Sequence, residues 1–154
     1  MTKIRDKYII VNLDKKEFFN PYDFENSGEL IDFSMQSDVG ALSGLAMLLA
    51  DGKEKEIRNE FPDTPLVGTW KGDRIVIAGS QSDTKVKGTD KNLYSYAKEN
   101  FEDIGHKVIA GLLENSYYKY KTEYRFNSSI GKESYKKALE FQKTYKNNGK
   151  KIKV

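Results

Sequence analysis

Residues 7–13 have the sequence KYIIVNL, and this stretch is the most informative about the fold. Residues 8–11 are four consecutive apolar side chains, and a strand that is apolar on both faces is typical of the interior of a sheet. The polar tripeptide DKK at residues 14–16 indicates a turn. Residues 17–19 then predict a short second strand that returns beside the first.

Further along the chain, the pattern predicts more strands. Residues 66–70 and 74–78 read as two strands on either side of the tripeptide KGD at 71–73, which predicts a hairpin with its turn at Gly72 and Asp73. Residues 30–33 predict another short strand.

Two segments predict buried helices. Residues 38–50 (DVGALSGLAMLLA) are apolar nearly all round, and residues 93–113 repeat apolar positions at steps of three and four. We expect the second helix to break near residues 102–103 or at Gly105. Residues 53–60 are highly charged and are consistent with either a helix extension or a loop.

The sequence therefore predicts an α+β fold in which a small sheet is backed by helices. Its sheet and covering helices are expected from residues 7–13, 66–70, 74–78, 38–50 and 93–113. We predict that residues 1–116 form this α+β core domain. Residues 117–154 are predicted to be a basic, aromatic-rich C-terminal extension that contains a helix and packs on the core.

Charge is split between these two parts of the chain. Residues 117–154 hold eleven Lys or Arg against three Glu, a net charge of +8, whereas the remaining residues hold fifteen against twenty, a net charge of −5. The basic part also carries eight aromatic residues. Basic and aromatic side chains together suit an anionic partner, either nucleic acid or an acidic protein surface.

The C-terminal part itself predicts local structure. Residues 132–145 predict a helix with lysines opposite a face that contains Tyr135, Ala138 and Leu139. The tripeptide NNG at 147–149 is predicted to end that helix and to leave a basic tail at residues 150–154.

Composition excludes several kinds of chemistry. The chain has no cysteine, so it cannot form disulfides, zinc sites with cysteine ligands or iron–sulfur clusters. His106 is the single histidine, and we expect it to be a helix-surface or half-buried residue rather than a catalytic one. The N-terminus has no signal-peptide pattern, and no apolar stretch is long enough to span a bilayer, which predicts a cytoplasmic protein without a membrane partner.

Carboxylates are the only groups numerous enough to form a conventional catalytic site. They stand at the ends of predicted elements, where both magnesium ligands and structural caps are found. Six aspartates have such positions: Asp14, Asp32, Asp38, Asp51, Asp63 and Asp73. No pair has a diagnostic spacing, so we predict no catalytic residue, metal ion or cofactor. If a metal-dependent site existed, Asp73 and Arg74 would be the first suspects.

Trp70 is the sole tryptophan and lies beside the predicted turn. The favoured interpretation is a packing residue, and the alternative is an interface anchor, because Trp and Arg are enriched at binding hot spots. The predicted contact residues lie in this turn and in the basic part: Trp70, Lys71, Arg74, Tyr118, Lys119, Lys121, Tyr124, Arg125, Lys132, Lys136, Lys137, Lys143 and Lys146.

Two sequence strings resemble a known family. They are YIIVNLDKKEFFNPYDF with LSGLAMLLAD, within residues 8–51, and GTWKGDRIVIAG at residues 68–79. This pattern resembles small uncharacterised proteins seen in phages, prophages and bacterial genomes, from residue 8 to about residue 115. Residues 117–154 look like an extension that shorter members lack. The resemblance carries no activity with it.

If the chain is phage-associated, its lack of a catalytic group of residues favours a protein that acts by stoichiometric binding. Anti-defence proteins, including anti-CRISPR proteins, often act in this way. We therefore expect a non-enzymatic protein that binds a protein or ribonucleoprotein of a host nucleic-acid-targeting system, as a competitor or mimic of nucleic acid. A direct nucleic-acid-binding protein is the first alternative. A metal-dependent nuclease or phosphotransfer enzyme is the second.

Overall fold

The computed structural model describes residues 6–21, 41–115, 119 and 132–152, and in the last range the side chains of residues 133–146. Its strands are β1 (Tyr8–Asn12), β2 (Glu17–Phe19), β3 (Ile75–Gly79) and β4 (Glu102–Asp103). Its helices are α1 (Ala41–Leu49), α2 (Lys55–Glu60), α3 (Leu93–Asn100), α4 (Gly105–Leu112) and α5 (Lys132–Ile152). The predicted α+β class is confirmed.

The strands form a mixed sheet in the order β3-β1-β2-β4. Strand β1 pairs antiparallel with β2 on one side and with β3 on the other, so that Ile10 lies between Phe19 and Ile77. Strand β2 pairs in parallel with β4. Ile9, Ile10 and Val11 of β1 are fully buried because helices cover both faces of the sheet, which confirms that residues 7–13 hold a central strand.

Alternation along β1 divides the core into two clusters. Ile10 belongs to a cluster with Phe19 and Trp70, to which α1, α4 and α5 also contribute. Ile9 and Val11 point to the opposite face, where Ala97 of α3 completes a smaller cluster.

The prediction of a strand at residues 66–70 is wrong, because this segment forms successive turns. The turns close off the end of α1: the Gly68 N–H donates to the Met47 carbonyl at 3.1 Å, and the Trp70 N–H donates to the Leu48 carbonyl at 3.0 Å. Carbonyls in the last turn of a helix have no partner within the helix. The N–H groups of Gly68 and Trp70 bond to these helix carbonyls, whereas in a strand they would bond to a neighbouring strand.

The boundaries of the other helices and strands agree in part with those predicted from the sequence. Residues 93–113 form α3 and α4 with β4 between them, which confirms the predicted break. Residues 53–60 contain the separate helix α2. The predicted end of the last helix at 147–149 is wrong, since α5 continues to Ile152; one glycine within a helix costs only about 1 kcal/mol relative to alanine.

Some sequence predictions lie outside the described residues. These are the strand at 30–33, the first residues of the helix at 38–50, and the boundary between residues 116 and 117. Among the helices of the described residues, none combines the length and the apolar character that crossing a bilayer requires.

Candidate binding surface

Helix α5 is held against α4 by one of its faces. Ala138 is fully buried in the main cluster. The Phe141 ring meets the His106 ring edge-on, with 6.1 Å between centroids, and the Gln142 Nε2 donates to the Ala110 carbonyl at 3.0 Å. These contacts fix which side chains of α5 face the solvent.

The solvent side of α5 carries a row of lysines. Lys136, Leu139, Lys143 and Lys146 follow at steps of three and four residues, so they align along the helix. Lys136 and Lys143 are exposed, Lys146 is half-buried, and Leu139 is 37% exposed. We call these four residues the lysine row. None of its lysines forms an ion pair with a carboxylate in the part of the chain that the structure describes.

The rest of the solvent side is mixed in charge. Glu133 and Glu140 are exposed beside the lysine row, and Lys137 is exposed on its far flank. The whole of α5 contains seven lysines and two glutamates, which gives it a net charge of +5. The surface is therefore basic but interrupted by carboxylates.

His106 lies where α5 meets α4, and it is half-buried as expected. Burial lowers the pKa of its imidazole, and the nearby Lys107 and Lys137 lower that pKa further, against an opposing effect of Asp103. Lys107 pairs with Glu102 at 2.6 Å and places its Nζ 5.4 Å from the Phe141 ring centroid. His106 and Lys107 therefore contribute to the packing of α4 against α5.

Trp70 is fully buried, so its interpretation as an interface anchor is wrong and the packing interpretation is confirmed. Its indole Nε1 donates to Glu17 Oε1 at 2.8 Å, and its ring lies 5.6 Å from that of Phe19. A buried indole needs a partner for its N–H, and the first residue of β2 supplies it. A partner on this surface would meet Lys71 and Arg74 instead.

Those two cations already have carboxylate partners. Lys71 Nζ lies 3.1 Å from Asp51 Oδ2. Arg74 donates from its backbone N to Asp14 Oδ2 at 2.7 Å and from its Nε to Asp14 Oδ1 at 2.9 Å. The hydrogen bonds from the Arg74 side chain and backbone lower the pKa of the Asp14 carboxyl. This turn therefore offers a partner less unpaired charge than α5.

Asp73 also has a structural role. Its Oδ2 accepts from Asn12 Nδ2 and from Lys15 Nζ, both at 2.9 Å, and the hydrogen bond from Asn12 is the main cause that lowers the Asp73 pKa. Asn12 is fully buried, and its Oδ1 accepts from the Lys15 N–H at 2.8 Å. Within the described ranges, no three His, Asp or Glu side chains are grouped so as to hold a metal ion.

The structure also shows a buried polar cluster that the sequence did not indicate. Glu114 Oε1 accepts from the Asp63 N–H at 2.8 Å. Glu114 Oε2 and the Tyr145 hydroxyl are both buried, and the two groups lie close enough to affect each other's pKa. Burial raises the pKa of Glu114, and burial together with the Glu114 carboxyl raises that of Tyr145. Glu114 follows α4 and Tyr145 lies in α5, so the two residues are far apart in the chain. No sequence spacing indicates that they meet.

The other predicted contacts are placed only in part. Lys119 is exposed, and Lys132 is the first residue of α5. Tyr118, Lys121, Tyr124 and Arg125 lie outside the described residues. The structure brings Lys136, Lys143 and Lys146 together in one row, with Lys137 apart from them.

No protein-family model matches the chain, and neither a curated protein nor a solved structure matches it significantly.

Proposed function

We propose that this chain is a non-enzymatic protein that binds a protein or ribonucleoprotein stoichiometrically through the lysine row of α5. The observation that carries the proposal is the row itself. Lys136 and Lys143 are exposed on the side of α5 away from Ala138, and Lys146 is half-buried at its flank. None of the three forms an ion pair with a described carboxylate. Complementary charge across an interface raises the association rate and the specificity.

The mixed chemistry of the surface favours a protein partner over nucleic acid. Glu133 and Glu140 stand beside the lysines, where they would repel a phosphate backbone but could meet the basic residues of a protein. Leu139 adds an exposed apolar side chain within the row. Protein interfaces combine an apolar centre with a polar rim.

The partner class rests on the sequence resemblance. Proteins like those of phages and prophages, when they lack catalytic groups, often inhibit host defence by occupying a nucleic-acid-targeting complex. In this proposal, residues 117–154 are a basic, aromatic-rich binding module added to the α+β core. The lysines of α5 then engage acidic residues of the target or displace its nucleic acid.

A charge-reversal variant tests the surface. Replacing Lys136, Lys143 and Lys146 by Glu should abolish recovery of a one-to-one complex from a bacterial lysate, because each like-charge contact replaces an attraction. The control reverses three exposed lysines elsewhere, Lys16, Lys53 and Lys55, which changes the net charge equally. Affinity capture with mass photometry of the eluate gives the partner and its stoichiometry. Equal loss in both variants would refute a specific surface.

Nuclease treatment separates the alternatives in the same experiment. A complex that survives nuclease supports a protein partner. Direct nucleic-acid binding is favoured by the basic charge and the aromatic residues of 117–154, and it predicts affinity for labelled DNA or RNA that falls steeply with salt. If that affinity exists, losing three phosphate contacts should reduce the slope of log affinity against log salt by roughly 3.

A further inference from the structure

Strand β3 is at one edge of the sheet formed by the described strands. Two hydrogen bonds show which residues of β3 form hydrogen-bonded pairs with β1. The Leu13 N–H donates to the Arg74 carbonyl at 2.9 Å, and the Ser80 N–H donates to the Lys7 carbonyl at 2.8 Å. Both join residues that are directly opposite in the register of the two strands.

In an antiparallel pair, hydrogen-bonded and non-hydrogen-bonded residues alternate. Val76 and Ala78 therefore direct their N–H and C=O groups toward β1, and Ile75 and Ile77 direct theirs away from the sheet. No described residue forms a hydrogen bond with the main chain of Ile77. Ile77 is also 44% exposed. The edge thus offers main-chain donors and acceptors to a further strand.

A pocket of about 210 Å³ lies beside this edge. Strand β3 forms one wall, residues 82–86 form the other, and Leu93 and Tyr94 of α3 complete it. The lining is largely apolar, and the volume is several times that of a water molecule, about 30 Å³. The pocket can therefore receive an aliphatic side chain from a strand that pairs with β3.

The charge at the pocket is basic. Lys85 lines it and is exposed, and Lys85 forms no ion pair among the described residues, although Asp83 is near in sequence. Lys87 is exposed two residues further on. An acidic residue in the bound segment would be complementary to Lys85.

We propose that the β3 edge binds an extended peptide segment of a partner protein by strand addition. The main chain of the peptide pairs with Ile75 and Ile77, an aliphatic side chain enters the pocket, and an acidic residue lies against Lys85. In this mode the main chain provides affinity and the pockets provide specificity. The site is distinct from α5 and does not depend on the function proposed for it.

The test uses the full chain and a yeast-displayed library of random 12-residue peptides. Selection should enrich peptides that alternate aliphatic with polar residues and contain Asp or Glu. Synthetic peptides from the selection should bind Ile77→Pro at least tenfold more weakly, because proline removes only the outward N–H of an edge strand. Lys85→Glu should weaken them at least threefold. The Lys136, Lys143 and Lys146 reversal should not affect them.

Lys85→Glu keeps the test informative if Ile77→Pro unfolds, since Lys85 is exposed. The proposal is overturned if no peptide is enriched, or if the selected peptides bind wild type and Lys85→Glu equally. It is also overturned if sedimentation shows a dimer that Ile77→Pro dissociates, because the edge would then bind a second copy of the chain.

Discussion

At the scale of single residues, folding raises the pKa of the Glu114 carboxyl by burying it. It follows α4 and lies near Tyr145 of α5, so it links the two helices. One oxygen accepts from the Asp63 N–H, and the other is buried near the Tyr145 hydroxyl. Burying a charge without full compensation costs free energy, which explains the raised pKa.

This raised pKa predicts a pH dependence of stability. Glu114 binds its proton more tightly in the folded chain than its ordinary pKa of 4.5 implies, so the folded state gains stability below that value. The gain is lost as the pH rises through the higher folded pKa. Glu114→Gln should remove this loss, so that its free energy of unfolding exceeds that of wild type increasingly as the pH rises above 4.5.

Urea unfolding at several pH values measures this difference. Glu140→Gln is the control, because Glu140 is exposed on α5 and should leave the pH profile of wild type unchanged. A Glu114→Gln profile parallel to that of wild type would show that the carboxyl does not contribute to the pH dependence.

At the scale of elements, the turn segment that follows α2 shows how glycine positions a loop. Gly68 has a φ of +75°, and its N–H donates to the end of α1. A Cβ built at Gly68 would lie 2.7 Å from the Ala50 carbonyl oxygen and 2.9 Å from the Gly52 nitrogen. Only glycine satisfies both the backbone angle and this close approach.

Gly68→Ala should therefore destabilise the chain by about 2–4 kcal/mol, which combines left-handed strain with a forced backbone shift. Gly72→Ala is a matched control: Gly72 has a φ of +81° but nothing within 4 Å of an added Cβ. It should lose only about 1–2 kcal/mol. Chemical denaturation of both variants gives the difference, and equal losses would contradict the steric argument.

At the scale of the whole molecule, α5 and the sheet share one core. The main cluster joins Ile10 of β1 and Met47 of α1 to Val108 of α4 and Ala138 of α5. Trp70 lies in the same cluster, and it is the only tryptophan of the chain. Its fluorescence therefore reports on the core, whereas far-UV circular dichroism is dominated by the helices.

A shared core predicts that the two signals change together. Thermal unfolding followed by Trp70 fluorescence and by circular dichroism should give coincident transitions, as expected for a cooperative unit of this size. The Trp70→Phe variant, followed by circular dichroism alone, controls for the probe residue. If helical signal were lost well before the fluorescence changed, α5 would be an independent unit and not part of the core.

The sequence by itself determined the central strand and the break between α3 and α4. These depend on periodicity and turn residues within a few positions. The sequence placed Tyr135 and Ala138 correctly on the packed face of α5, but it also placed Leu139 there, and Leu139 is exposed in the lysine row. It misplaced residues 66–70 because a short apolar segment before a turn signal cannot be distinguished locally from turns that bury Val67 and Trp70.

Only the tertiary structure decided which predicted site residues are available to a partner. It buried Trp70, paired Lys71 and Arg74 with carboxylates, and left the lysine row of α5 without such pairs among the described residues. It also created the Glu114–Tyr145 cluster and the pocket at the β3 edge. The physical reason is that burial and pairing depend on contacts between residues far apart in the chain, which local pattern does not encode.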